Sequence, residues 1–391
     1  MLILTLTGKD APGITAEVTR ILAATGARLF DVEQVVVQGL LTLGFAVTLP
    51  PAAEEAALKD LLFAARGLGL VLEYRKAPEA PPGRARRYAL TAIARELGPA
   101  ALHAIASVLA EHKANIERIH RLSEGGLASV EFAVSLPEDG DEAGLKRALL
   151  TAAGNGAFDC ALQRESLLRR SKRLVVMDMD STLIQIEVID ELARAYGVGD
   201  QVSAITRRAM LGEMDYDESL RQRVALLQGL PVRVLDNIAN NLPLTEGAET
   251  LLRVLKRLGY RTAVISGGFS VAAEALQKRL GIDFAWSNTL EISPEGKLTG
   301  RVVGQIVNAQ RKADLLEVFA QREGVPLDQV IAIGDGANDL LMLQKAGHGI
   351  AFHAKPKLRE AAHTAISAGG LDTILYLLGM SGRDIASVDA E

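Results

Sequence analysis

Residues 172–183, KRLVVMDMDSTL, constrain this chain more than any other stretch. Leu174, Val175, Val176 and Met177 form a short apolar run with two β-branched members, set between a basic pair and a polar switch. Such a run suits a buried central strand covered on both faces. The polar switch reads Asp178-Met179-Asp180-Ser181-Thr182. Two carboxylates two residues apart point the same way if the strand continues through them. Ser181 and Thr182 are suited to cap a following helix. Two acids at the carboxyl end of a strand, beside a helix start, stand where open α/β sheets bind ligands, with a bias toward anions such as phosphate.

The downstream chain supplies the rest of such a sheet. Apolar runs recur at residues 262–265 and 330–333 with helical segments between them, which predicts an α/β fold built on a doubly wound parallel sheet. Residues 187–242 interrupt the alternation with almost continuous helical pattern, as expected of a lid over the first strand's carboxyl end. The first strand ends at Asp178 and Asp180, the second at Ser266-Gly267-Gly268, the third at Asp335, followed by Gly336, Asn338 and Asp339. Taken singly, each is an ordinary turn, and Lys312 an ordinary surface lysine. Together a parallel sheet brings them to one edge. Clustered carboxylates repel one another and imply a cation; hard oxygen donors beside phosphate point to Mg²⁺. Lys312, opening a helix between the second and third strands, offers a fixed positive charge.

The first 166 residues read differently. Strand and helix patterns follow the order βαββαβ twice, at a spacing of about 80 residues, as in a duplicated ferredoxin-like unit. The expected divisions are 1–75 and 87–166 for the two units, 76–86 for a Pro-, Gly- and charge-rich linker, 167–186 with 244–380 for the sheet domain, 187–243 for the helical cap, and 381–391 for a frayed tail. A net charge of −5 and the lack of a long basic run give no reason to expect nucleic acid. No stretch approaches a membrane span, the N-terminus lacks the marks of a signal peptide, and Cys160 is the only cysteine, so a cytoplasmic protein is expected.

The motifs DMDST at 178–182, SGG at 266–268, Lys312 and GDGAND at 334–339 resemble the four signatures of the haloacid-dehalogenase-like hydrolases. DMDSTLIQIEVIDELA, SLRQRVALLQGLP, TEGAETLL, VISGGF and GDGANDLLML narrow the resemblance to the phosphoserine phosphatase branch, across residues 174–377. The resemblance implies hydrolysis of O-phospho-L-serine to L-serine and phosphate, the last step of serine biosynthesis. It implies Asp178 as nucleophile and Asp180 as acid/base. Ser266, Gly267, Lys312 and Asn338 would face the phosphate. Mg²⁺ would be held by Asp178, Asp335 and the backbone carbonyl of Asp180, with Asp339 behind them. Glu187 is implied to pair with the substrate ammonium and Arg223, rather than the neighbouring Arg221, with its carboxylate; Met210 would pack beside it. Phosphoryl-storing relatives such as ion-pumping ATPases carry Thr at the position of Asp180, so an acid there implies turnover.

The N-terminal repeats resemble ACT domains, which bind amino acids and pair into larger sheets. The loop 8–13, GKDAPG, matches their GxDxxG ligand loop, whereas its counterpart at 95–100, RELGPA, lacks the Asp. This implies a regulatory amino acid, L-serine, near Asp10 and Gly13, and a homodimer formed by sheet extension. Two other readings stay open: an amino-acid-sensing module with a vestigial phosphatase domain, and the same chemistry on another small phosphomonoester such as phosphohomoserine.

Overall fold

The computed structural model of the protein describes residues 1–78, 85–123, 127–156, 158–166, 169, 171–362 and 364–390. The chain divides into two compact units, Met1–Arg84 and Ala85–Glu391.

The first unit runs β1 (Leu2–Lys9), α1 (Ile14–Ala24), β2 (Arg28–Val37), β3 (Leu40–Thr48), α2 (Glu54–Gly67) and β4 (Leu70–Lys76). Its antiparallel sheet has the order β2-β3-β1-β4. Alternation places Leu2, Leu4 and Leu6 of β1 and Leu41, Leu43 and Phe45 of β3 on one buried face against Val18, Ile21 and Leu61 of the helices. Edge strand β2 is exposed along its whole length, although it carries Leu29, Phe30, Val32, Val35, Val36 and Val37.

The second unit opens with the same element order: β5 (Ala85–Ala94), α3 (Pro99–Glu111), β6 (Asn115–Arg121), β7 (Ala128–Pro137), α4 (Glu142–Gly156) and β8 (Asp159–Arg164), with sheet order β6-β7-β5-β8. Most of the expected linker, and residues 124–126, lie outside the described residues. The chain continues through β9 (Leu174–Met177), then four helices, α5 (Val188–Tyr196), α6 (Gly199–Met210), α7 (Tyr216–Ala225) and α8 (Val232–Asn240), then α9 (Ala248–Arg257), β10 (Arg261–Phe269), α10 (Ser270–Leu280), β11 (Phe284–Ile292), β12 (Leu298–Val303), α11 (Ala309–Arg322), β13 (Val330–Gly334), α12 (Leu340–Lys345), β14 (His348–Phe352), α13 (Pro356–Ala361), β15 (Thr364–Ile366), α14 (Ile374–Leu377) and α15 (Gly382–Ala390).

These strands form one seven-stranded sheet in the order β12-β11-β10-β9-β13-β14-β15. β9 is central, pairs in parallel with β10 and β13, and is fully buried, as its apolar run requires. Six strands are parallel; β12 returns antiparallel on β11, because the short Gly296 turn allows a hairpin and not a crossover. Helices cover both faces, giving two apolar layers, one containing Val175 and Met177 and the other Leu174 and Val176. Among the described residues no helix is long and apolar enough to cross a membrane.

A polar joint ties the 85–164 domain to this sheet. The Asp159 carboxylate, buried on β8, accepts bonds from the backbone N–H groups of Ser367 (2.6 Å) and Ala368 (3.0 Å), just past β15. Gln163 bonds His348 at 3.0 Å. Arg169, almost wholly buried, donates to Gln163 at 2.8 Å and pairs with Glu131 and Glu165. The expected frayed tail is a helix instead: Ser381 and Asp384 cap each other's backbone N–H groups at 3.2 and 2.7 Å, and Gly382 N–H bonds the Leu122 carbonyl at 2.8 Å.

Candidate active site

Strand β9 ends at Met177, and the next seven residues fold back as a tight turn rather than entering a helix. Ser181 takes φ +58° there, an uncommon backbone for a non-glycine residue. Neither expected cap caps a helix. Ser181 Oγ donates to Glu187 at 2.8 Å, and Thr182 Oγ1 donates to Asp335 Oδ1 at 2.8 Å. Helix α5 begins only at Val188, whose N–H reaches Asp180 Oδ1 at 3.4 Å.

The turn delivers Asp178 to the carboxyl edge beside β13, with its N–H on the Ile333 carbonyl (2.9 Å). Lys312 arrives from the first turn of α11, which Asn308 caps by accepting from Arg311 N–H at 3.1 Å. Its ammonium, with no solvent exposure, stands 2.7 Å from Asp178 Oδ1 and 2.7 Å from Asp339 Oδ1. Asp339 also accepts from Gly336 N–H at 3.0 Å. One carboxylate oxygen from each of Asp178, Asp335 and Asp339 lies within 4.8 Å of the others.

On the other side of β9, strand β10 runs through Ser266, Gly267 and Gly268 to Phe269. Ser266 Oγ is buried and accepts from Gly268 N–H at 2.8 Å. Both glycines are demanded by close approach. A Cβ on Gly268 would stand 2.5 Å from Asp180 Oδ2, and one on Gly267 would stand 2.1 Å from the Tyr216 hydroxyl. Tyr216 comes from the helical insertion and donates to the Gly267 carbonyl at 3.3 Å. Asn288 on β11 donates to the same carbonyl at 2.7 Å and accepts from Val307 N–H at 2.8 Å.

The electrostatics follow from burial. Desolvation lifts the Asp178 carboxyl well above the usual carboxylate range; Asp339 adds to the rise and Lys312 opposes it. Burial, then the charge of Glu187, lifts Asp180 well above it too. Asp335 is pushed up to about 6 by burial and by Asp339. Burial works to lower the Lys312 ammonium, but Asp178 and Asp339 prevail and hold it charged. Burial pushes the Tyr216 hydroxyl up to about 12. Four carboxylates thus converge on one buried ammonium, a deficit of positive charge that a hard divalent cation fits.

Asp178, Asp180, Ser266, Gly267, Lys312, Asp335 and Asp339 therefore share one cluster. Asn338 lies against Gly336, where a Cβ would stand 2.2 Å from its Oδ1. Glu187 is exposed, yet its charge reaches Asp180 and Asp335. Half-buried Arg223 acts on Tyr216, whereas Arg221 is exposed. Met210 is not drawn in: at the end of α6 it is 68% exposed. Asp10 and Gly13 lie in the exposed loop between β1 and α1, in the other unit; Gly13, at φ +94°, precedes α1. The sequence reading took Thr182 for a helix cap and passed over Tyr216 and Asn288. Asn288 left a trace, since asparagine is depleted in strands; Tyr216 left none, being one aromatic in a polar helix.

Family models match the chain in three places: an ACT domain at residues 1–75, a second at 88–163, and a haloacid dehalogenase-like hydrolase at 172–347. A phosphoserine phosphatase of Streptomyces coelicolor is 47% identical over 391 residues, covering 99% of this chain and 94% of the relative. The chain belongs to the phosphoserine phosphatase family. Among solved structures, a HAD family hydrolase from Salmonella enterica serovar Typhi superposes with a TM-score of 0.66 at 31% identity, over 74% of this chain and 98% of that one. A phospho-aspartyl intermediate analogue of phosphoserine phosphatase, 44% identical, matches with a TM-score of 0.50 over 53% of this chain and 98% of that one. The phosphoserine phosphatase resemblance read from the motifs is thus borne out, as are the two ACT domains and the α/β class.

The Asp335 environment predicts a pH signature of stability. Its folded-state pKa stands at about 6 against an ordinary 3.8, so between those values the folded protein binds protons that the unfolded chain has released. That contribution stabilises below pH 3.8 and is lost as pH rises through about 6. In EDTA, the melting temperature of wild type relative to Asp335→Asn should fall across this window. A difference that stays flat or rises would contradict the assignment.

Proposed function

We propose that the enzyme hydrolyses O-phospho-L-serine by way of an aspartyl-phosphate on Asp178, with Mg²⁺ as its metal. The single observation that carries this reading is the convergence of Asp178, Asp180, Lys312 and Asp335 on one buried pocket. The phospho-aspartyl analogue among the related structures supports the covalent step.

In this reading Asp178 Oδ attacks phosphorus in line and the seryl oxygen leaves. Asp180 holds the proton that the leaving oxygen takes up; its desolvated position keeps that proton available near neutral pH. With L-serine gone, Asp180 accepts a proton from the water that attacks the phospho-aspartate, and Asp178 and phosphate are released. Lys312, the Ser266 hydroxyl, the Gly267 backbone and Asn338 hold the phosphate oxygens. Mg²⁺ would be held by Asp178, Asp335 and the Asp180 backbone carbonyl, and supplies charge neutralisation at the phosphoryl oxygens. The Asp339 carboxylate is already engaged by Lys312 and Gly336, which suits it to orienting rather than ligating.

Glu187 takes the substrate ammonium and Arg223 its carboxylate, which selects an α-amino acid. Tyr216, anchored on Gly267, positions the insertion over the phosphate site. Met210 reaches the substrate only with movement of the exposed end of α6. The cytoplasm is the proposed location. Across a panel of small phosphomonoesters, phosphohomoserine among them, phosphoserine should give the highest kcat/KM. EDTA should abolish turnover, Mg²⁺ should restore it, and Asp178→Asn should lose at least about 10⁴-fold. EDTA-insensitive turnover, or equal rates across the panel, would contradict the proposal.

L-serine is proposed to bind the loop carrying Asp10 and Gly13, with the exposed apolar strand β2 pairing two copies of the chain. The corresponding loop of the second repeat, 95–100, lacks the Asp, and Gly98 before its helix has ordinary extended geometry, which suits a mainly structural unit. A serine titration of the rate should differ between wild type and Asp10→Ala; superimposable curves would reject the site.

A further inference from the structure

A second concavity opens on the same edge of the sheet, outside the catalytic cluster. A cavity of about 290 Å³ lies between α10, the β11–β12 hairpin and the first turn of α11, and its walls include Glu274, Trp286, Ser287, Val303 and Arg311. Neither charged group is engaged: among the described residues Arg311, half-buried, and Glu274, exposed, have no ion-pair partner. Arg311 adjoins Lys312 in sequence, but Lys312 turns into the catalytic cluster while Arg311 faces this cavity. Between the charges, Trp286 and Val303 leave apolar surface open, at 47% and 51% exposure.

A cation, an anion and an aromatic wall around one small space make a specific chemical pattern. We propose that this cavity is an amino-acid site on the catalytic domain itself, separate from the ACT loop, and takes a free α-amino acid with an apolar side chain. Arg311 receives the carboxylate as a two-pronged pair. Glu274 receives the ammonium. The side chain lies on Trp286 and Val303. Glu274 disfavours a phosphate or a simple dianion, which would gain Arg311 and meet a carboxylate. The volume, about 290 Å³ and so just under the roughly 300–1,000 Å³ of drug-sized small-molecule sites, suits a ligand as small as an amino acid.

Trp286 is the only tryptophan in the chain, so its fluorescence reports this cavity directly. L-leucine is the probe. Titrated into the full-length protein, it should change the emission saturably, with a dissociation constant of about 1 mM or tighter. The response should persist in Asp10→Ala, which removes the acid of the ACT loop. It should weaken about tenfold or more in Arg311→Gln and in Glu274→Gln. Leucinamide and 4-methylpentanoate, each lacking one charge, should weaken by a similar factor on the wild-type protein, and these two decide the point if either variant misfolds. The proposal is overturned if no saturable change appears up to about 10 mM. It is equally overturned if 4-methylpentanoate binds as well as L-leucine, which makes the cavity a plain anion site, or if Asp10→Ala abolishes the signal, which assigns it to the ACT loop.

Discussion

The catalytic domain depends on one buried ammonium. Lys312 has no contact with solvent and stands 2.7 Å from a carboxylate oxygen of Asp178 and 2.7 Å from one of Asp339. Removing one partner of such an arrangement typically costs about 3–5 kcal/mol, because the charges left behind cannot be rehydrated. The same contacts join the end of β9, the start of α11 and the turn after β13. Fold and site are therefore held by one set of bonds. Because Asp180 and Asp335 crowd the same space, a single ammonium leaves the pocket short of positive charge, and burial together with the neighbouring carboxylates raises both carboxyls above their ordinary range. That shortage of positive charge is one that a hard divalent cation would fill.

Much of this was legible in the chain, for identifiable reasons. The run 174–177 is apolar at every position and is buried at every position, so the central strand declared itself. The three polar strand ends could be assembled because parallel topology leaves one carboxyl edge. The two βαββαβ repeats were visible in alternation and helical spacing. What escaped reading lacked such periodicity. The short β14 and β15, and the antiparallel β12, are set by pairing and not by pattern. The turn after β9 was expected to lead straight into a helix. The hydroxyls of Ser181 and Thr182 instead serve Glu187 and Asp335, partners that only the folded chain brings near. Tyr216 and Asn288 hold one carbonyl from opposite sides, and neither announces that from its neighbours in sequence.

The joint between the 85–164 domain and the catalytic sheet has a comparable character. Asp159, Gln163 and Arg169 turn one face of that domain into a continuation of the β14–β15 edge. β14 in turn pairs with β13, the strand that presents Asp335. This ACT domain is thus packed through buried polar contacts onto the sheet that builds the site, whereas Met1–Arg84 forms its own compact unit. The helical C-terminus strengthens the same joint through Gly382 and Leu122.

The central claim is that the phosphoryl group passes through Asp178. The most direct measurement is rapid acid quench of the enzyme during turnover of phosphoserine, followed by borohydride reduction and peptide mass spectrometry. Reduction converts an aspartyl-phosphate to homoserine, so the account predicts homoserine at position 178 and at no other aspartate. Consumption of substrate with position 178 remaining aspartate at every quench time would contradict it.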